Sequence, residues 1–158
     1  MKLCGIDSST SATSVSLFKD GKFINYKLIR LDKKKYPSQW ERINPMMEQI
    51  WDVLNEYDPD VIYQEDTYQK QSVDTLKCLT NILGGVRMWA VANHKEYYKI
   101  NAPMWRAQLK MNEFMAERPE LKDKSINFIK EKFNINPETD DVADSICIGL
   151  AGLKIYES

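Results

Sequence analysis

The chain reads as an α/β protein built on a mixed five-stranded sheet, three strands antiparallel and then two parallel. Three observations predict this class. Asp20-Gly21 sits between two apolar, strand-like runs, Val15–Phe18 and Phe23–Leu31, which is a strong hairpin signal. Apolar residues at 40, 43, 47, 50, 54 and 57 follow helical spacing. The short run Val61-Ile62-Tyr63 comes directly after that helix, the arrangement that brings a strand back parallel to an earlier one. With 158 residues, 43% of them hydrophobic, the span 1–158 is expected to fold as a single domain around one well-filled core.

Each element has its own warrant. Residues 2–7 form the first strand, which ends in Asp7, and the runs flanking Asp-Gly are the second and third. Lys33-Lys34-Lys35 closes the third strand as a solvated loop. Pro45, inside the helix at 40–57, predicts a kink or an irregular first turn, and Asp58-Pro59 ends that helix. Val61–Tyr63 is the fourth strand, running into Gln64-Glu65-Asp66. A second helix spans 72–93 with Ser72 as its N-cap. Its apolar positions cover more than one face, and the costly Gly84-Gly85 in its middle predicts close approach of another backbone. Tyr97–Ile100 is the fifth strand. Pro103 begins a short helix, Pro119 begins another reaching about Phe133, and 140–155 is a last apolar helix led by acids.

Composition narrows the chemistry. No apolar run approaches the ~18 residues of a membrane span, and no signal peptide is visible, so a cytoplasmic setting is expected. Cys4, Cys78 and Cys147 lie far apart among apolar neighbours, which disfavours a thiolate metal site. With His94 as the one histidine, a histidine triad or zinc cluster has no material. The net charge of −1 hides a partition. Residues 1–35 carry 8 basic and 3 acidic groups, and residues 36–68 carry 1 and 8. A neutral total therefore leaves room for a basic nucleic-acid surface beside an acidic pocket.

Carboxylates supply that pocket. Asp7 and Glu65 end neighbouring strands, while Asp141 and Asp144 lie three apart on one face of the last helix's first turn. The carboxyl edge of such a sheet is where α/β sites form. A cluster of this kind, free of His and Cys, suits Mg²⁺ or Mn²⁺. Two such ions about 3.5–4 Å apart can hold both oxygens of an in-line phosphoryl displacement. Asp140 competes with Asp141 as the ligand; the D-x-x-D spacing favours Asp141 and leaves Asp140 to cap the helix.

Leu3-Cys4-Gly5-Ile6-Asp7-Ser8-Ser9, Val61-Ile62-Tyr63-Gln64-Glu65 and Asp141-Val142-Ala143-Asp144-Ser145 together resemble the motifs of the RuvC Holliday-junction resolvases. The resemblance runs in order along nearly the whole chain. It implies an RNase H-like fold, a homodimer, and Asp7, Glu65, Asp141 and Asp144 as ligands of two Mg²⁺ ions. Its activity would be crossover junction endonuclease, making paired cuts that leave 5′-phosphate and 3′-hydroxyl on four-way junctions or related forks and flaps. By the same resemblance Tyr68 matches a base-contacting aromatic, Arg106 a basic DNA-binding residue, and Lys124 a catalytic cation near the scissile phosphate. The homodimer interface is expected on the helix 72–93, with Leu79 and Val86 as its test positions. The chain departs from the family in having Ser8-Ser9 where Pro-Gly is usual. Its 17 lysines against 5 arginines point to an AT-rich genome, as in a phage of a low-GC bacterium.

Two other functions fit parts of the pattern. Gly5-Ile6-Asp7-Ser8-Ser9-Thr10 also resembles the first phosphate motif of actin-like ATPase sugar kinases, which need a second lobe for the adenosine. A non-catalytic junction-binding protein would keep the basic surface and dispense with the acids.

Overall fold

Asp20 and Gly21 both take positive φ, 49° and 77°, the backbone of a tight two-residue hairpin turn. They join β2 (Ala12–Lys19) to β3 (Lys22–Arg30), and β2 pairs antiparallel with β1 (Lys2–Ser8). This computed structural model describes residues 1–67 and 72–158. The sheet order is β3-β2-β1-β4-β5, with β4 (Val61–Glu65) parallel to β1 and β5 (Glu96–Ile100) parallel to β4. The expected sheet is the observed one.

Helix α1 (Gln39–Tyr57) starts one residue earlier than its apolar spacing implies, because Ser38 and Glu41 form a reciprocal capping box. It runs through Pro45 as continuous helix. Helix α2 (Val73–Ala92) begins at the expected cap, with Ser72 Oγ accepting from the Thr75 amide at 3.2 Å. The C-terminal third differs from expectation. Pro119 starts no helix. Instead α3 (Ala102–Gln108) and α4 (Met111–Glu117) are separated by Lys110 in the left-handed region, and α5 (Lys124–Phe133) begins after left-handed Asp123. Arg118, just before Pro119, is disfavoured from helix by the proline ring, so the chain breaks there. Helix α6 (Asp140–Tyr156) closes the fold.

The sheet's two faces bury different partners. Leu3, Val61 and Tyr63 pack with α3–α6, whereas Cys4, Ile6 and Ile62 pack with α1 and α2. Alternation along the strands thus assigns Asp7 and Glu65 to the α6 side and Ser8 and Gln64 to the other. Gly5 sets the distance between sheet and helix. A Cβ there would collide with the Ser145 carbonyl and the Gly149 backbone, so β1 and α6 touch main chain to main chain. Ser16 Oγ reinforces that contact by donating to the Ser145 carbonyl at 2.7 Å.

Within this chain no other backbone packs against the glycine pair in α2 among the described residues. Among the described residues no atom outside the helix lies within 4 Å of a Cβ on Gly84. Gly85 faces the Met47 side chain, and its carbonyl accepts from Trp51 Nε1 at 3.1 Å, so the approach is by side chains of α1. Val86 is fully buried in this chain's own core and Leu79 lines a cleft, so neither test position belongs to a free helix face.

Candidate active site

Strand pairing aligns Ile6 with Gln64, which puts Asp7 and Glu65 side by side at the carboxyl edge of the sheet. The close β1–α6 contact brings the first turn of α6 over the same edge. The electrostatics report the result. Burial, followed by the charges of Glu65, Asp144 and Asp141, holds Asp7 well above the usual carboxylate range. Burial also pushes Asp144 up to about 6; a Ser125 hydrogen bond opposes this, Glu65 reinforces it, and Arg106 opposes it. Asp141 is raised by burial and by Asp140, with Arg30 pulling the other way. One neighbourhood contains all four sequence-predicted acids.

The donor chemistry fits divalent metal ions. The set is all carboxylate, and Asp144 Oδ1 is buried with no hydrogen-bond partner among the described residues. Raised carboxylates and an orphaned buried oxygen are both what a hard cation would relieve. Among the described residues no three His, Cys, Asp or Glu side chains are drawn together into a ready cage.

Asp140 is not the cap. Thr139 is the N-cap of α6, its Oγ1 accepting from the Val142 amide at 3.2 Å. Asp140 is the first helical residue, exposed, with Oδ1 accepting from the Asp141 amide at 3.1 Å. The β-region backbone of Thr139 and its hydroxyl satisfy the orphan amide better than an acid already inside the helix.

The other expected site residues fall differently. Arg106, on α3, lines a cleft of about 420 Å³ together with Ser8, Glu65, Thr67, Leu79 and Asn101. Its guanidinium sits 5.1 Å from the Trp105 ring, and its buried Nε has no acceptor among the described residues. Lys124 opens α5 next to Ser125, but its Nζ donates to the carbonyls of Arg118 at 2.8 Å and Pro119 at 3.2 Å. Tyr68 lies outside the described residues.

Two features escaped the sequence. Trp105 is fully buried and its Nε1 donates to Glu65 Oε1 at 3.0 Å. Gln64 is fully buried, donating from Nε2 to Ser8 Oγ at 2.9 Å and accepting at Oε1 from the Tyr97 hydroxyl at 3.0 Å. A glutamine within an otherwise apolar strand was the signal for the second. Nothing in the sequence distinguishes Trp105 from an ordinary core aromatic.

Comparison with solved structures agrees with this architecture. Thermus thermophilus RuvC in complex with a Holliday junction substrate superposes with a TM-score of 0.75 at 15% identity, covering 99% of this chain and 96% of that one. Fowlpox virus resolvase, solved with Holliday junction DNA, gives 0.60 at 18% identity over 100% of both chains. The yeast mitochondrial Holliday junction resolvase gives 0.54 at 16% identity, covering 96% of this chain and 77% of that one. No protein-family model matches the chain, and no curated protein matches it by sequence. The fold is the RNase H-like fold of RuvC and related resolvases.

Proposed function

We propose that this chain, with its RuvC-type fold, is a metal-dependent endonuclease that resolves four-way DNA junctions. The observation that carries the reading is that Asp7, Glu65, Asp141 and Asp144 share one sheet edge, where burial and the charges of the other three acids raise Asp7 well above the usual carboxylate range. That two of the similar structures hold Holliday junction DNA supports the substrate class, with forks and flaps as related substrates.

The four carboxylates would ligate two Mg²⁺ ions, or Mn²⁺ in their place. When bound, such ions activate a water and stabilise both oxygens of an in-line displacement, leaving 5′-phosphate and 3′-hydroxyl ends. The protein's part is positional. Trp105 fixes one oxygen of Glu65, and the β1–α6 contact fixes Asp7 against Asp144. Arg106 offers positive charge along the cleft beside Glu65; the phosphate contact that the resemblance implies for Lys124 would require its Nζ to leave the Arg118 and Pro119 carbonyls, and Tyr68 would supply the base contact.

Paired cutting needs two sites, and α2 offers a face for a second copy. Val73, Lys77, Thr80, Gly84, Met88 and Val91 recur at three- and four-residue steps, and all are exposed. Gly84 leaves open space at the middle of that stripe, where a second helix can cross. A bacterial or phage-infected cytoplasm is the setting that this reading expects. No helix among the described residues is long and apolar enough to cross a membrane.

A labelled synthetic four-way junction tests the reading. With Mg²⁺ the wild type should cut it in paired fashion, and Asp7→Asn, Glu65→Gln, Asp141→Asn and Asp144→Asn should each lose cleavage while retaining binding. Asp140→Asn should keep its activity. Near-normal turnover by Asp7→Asn would sink the metal assignment.

A further inference from the structure

We propose that Ser8 is a DNA-phosphate-binding residue whose hydroxyl is aimed by a hydrogen-bond chain running from Tyr97 through the buried Gln64. The proposal rests on the endonuclease reading and adds to it a substrate contact. It concerns a position where this chain departs from the resolvase pattern, with Ser8-Ser9 in place of the usual Pro-Gly.

Burying the Gln64 amide is costly unless its polar atoms are satisfied. Tyr97 satisfies Oε1 and Ser8 receives one Nε2 hydrogen, so the three side chains form a directed chain from β5 through β4 to β1. Gln64 therefore occupies a lone pair of Ser8 Oγ and turns the hydroxyl proton away from itself. Among the described residues no acceptor takes that proton. Ser8 instead lines the cleft that Glu65 and Arg106 share.

A poised neutral donor suits this location. Strand alternation puts Ser8 on the sheet face opposite Asp7 and Glu65, so its hydroxyl serves a backbone phosphate flanking the one that is cut. Serine hydroxyls commonly bind phosphate oxygens in protein–DNA interfaces, where they fix register. A neutral hydroxyl also binds phosphate without the ion pair that a lysine or arginine here would form with the carboxylates proposed to hold the metal ions. Because it is uncharged, it strengthens binding without adding to counterion release.

The test measures junction affinity in Ca²⁺ across a salt series, with Mg²⁺ cleavage by the wild type as the control. Ser8→Ala should weaken binding about tenfold at every salt concentration with an unchanged salt slope, the size expected for a hydrogen bond to a charged group. Ser8→Thr, which keeps the hydroxyl, should restore wild-type affinity. Tyr97→Phe should weaken binding by roughly threefold alone and not at all in a Ser8→Ala background, since it acts only through Ser8. Wild-type affinity for Ser8→Ala, or a Tyr97→Phe loss that persists without the serine hydroxyl, overturns the proposal. Failure of the wild type to cut in Mg²⁺ would instead remove the endonuclease reading, a result visible in the control alone.

Discussion

Trp105 spends its one polar hydrogen on Glu65, and that bond makes a core aromatic a positioning residue for a carboxylate proposed to bind metal. Trp105→Phe keeps most of the buried surface and removes the donor. Hydrogen bonds to charged groups are worth about 1.5–3 kcal/mol. Single-turnover cleavage at saturating Mg²⁺ is expected to fall about tenfold, with junction affinity in Ca²⁺ unchanged; a change in affinity alone would contradict positioning. Asp144 carries a second residue-scale prediction. Its folded value of about 6 lies above the usual 3.8, so the metal-free protein is favoured below pH 4 and loses that stability as pH rises through about 6. The difference corresponds to roughly 3 kcal/mol as an upper figure. In EDTA, Asp144→Asn should be more stable than the wild type at pH 8 and match it near pH 4. Urea midpoints at the two pH values check this, and a gain that is equal at both would refute it.

At the scale of elements, α2 divides into two sides with separate tasks. Cys78, Ile82, Val86 and Ala90 fill this chain's own core, while Val73, Met88 and Val91 are exposed. Among the described residues nothing lies within 4 Å of a Cβ on Gly84, so Gly84→Leu should leave the fold intact and block a crossing partner helix. Gly84→Leu and Met88→Glu are each expected to convert a dimer into a folded monomer in sedimentation at micromolar concentration. A wild-type monomer under those conditions would count against paired cutting. The elements also show where sequence reasoning succeeds and stops. The hairpin was legible because Asp-Gly admits positive φ at both positions, and β4 because a buried parallel strand is a continuous apolar run. The stretch from 102 to 133 was less legible, since left-handed Lys110 and Asp123 break the helices without glycine to mark the breaks. The acids were readable as strand and helix ends. The Trp105 and Gln64 bonds were not, because they depend on which side chains meet across the sheet.

For the whole molecule, the near-neutral charge conceals a surface that divalent ions would change. On the endonuclease reading, filling the acidic edge would remove the repulsion between carboxylates and DNA phosphates while leaving Arg106 and the lysines of 69–132 in place. Junction affinity should therefore rise when Ca²⁺ replaces EDTA, and should fall steeply with salt in either state. Arg106→Ala is expected to lower the salt slope by about one phosphate contact, which titrations at several salt concentrations resolve. Equal affinity in EDTA and Ca²⁺ would place the DNA away from the carboxylates. The contact between β1 and α6 has a functional consequence as well. Ser14 and Ser145 meet at 2.7 Å across 131 positions of chain, and this same junction brings Asp7 to Asp141 and Asp144. A chain in which α6 is not docked holds Asp7 and Glu65 but only half of the proposed ligands. On the endonuclease reading, cutting would therefore require α6 to be docked, and a chain lacking that contact would be a harmless one.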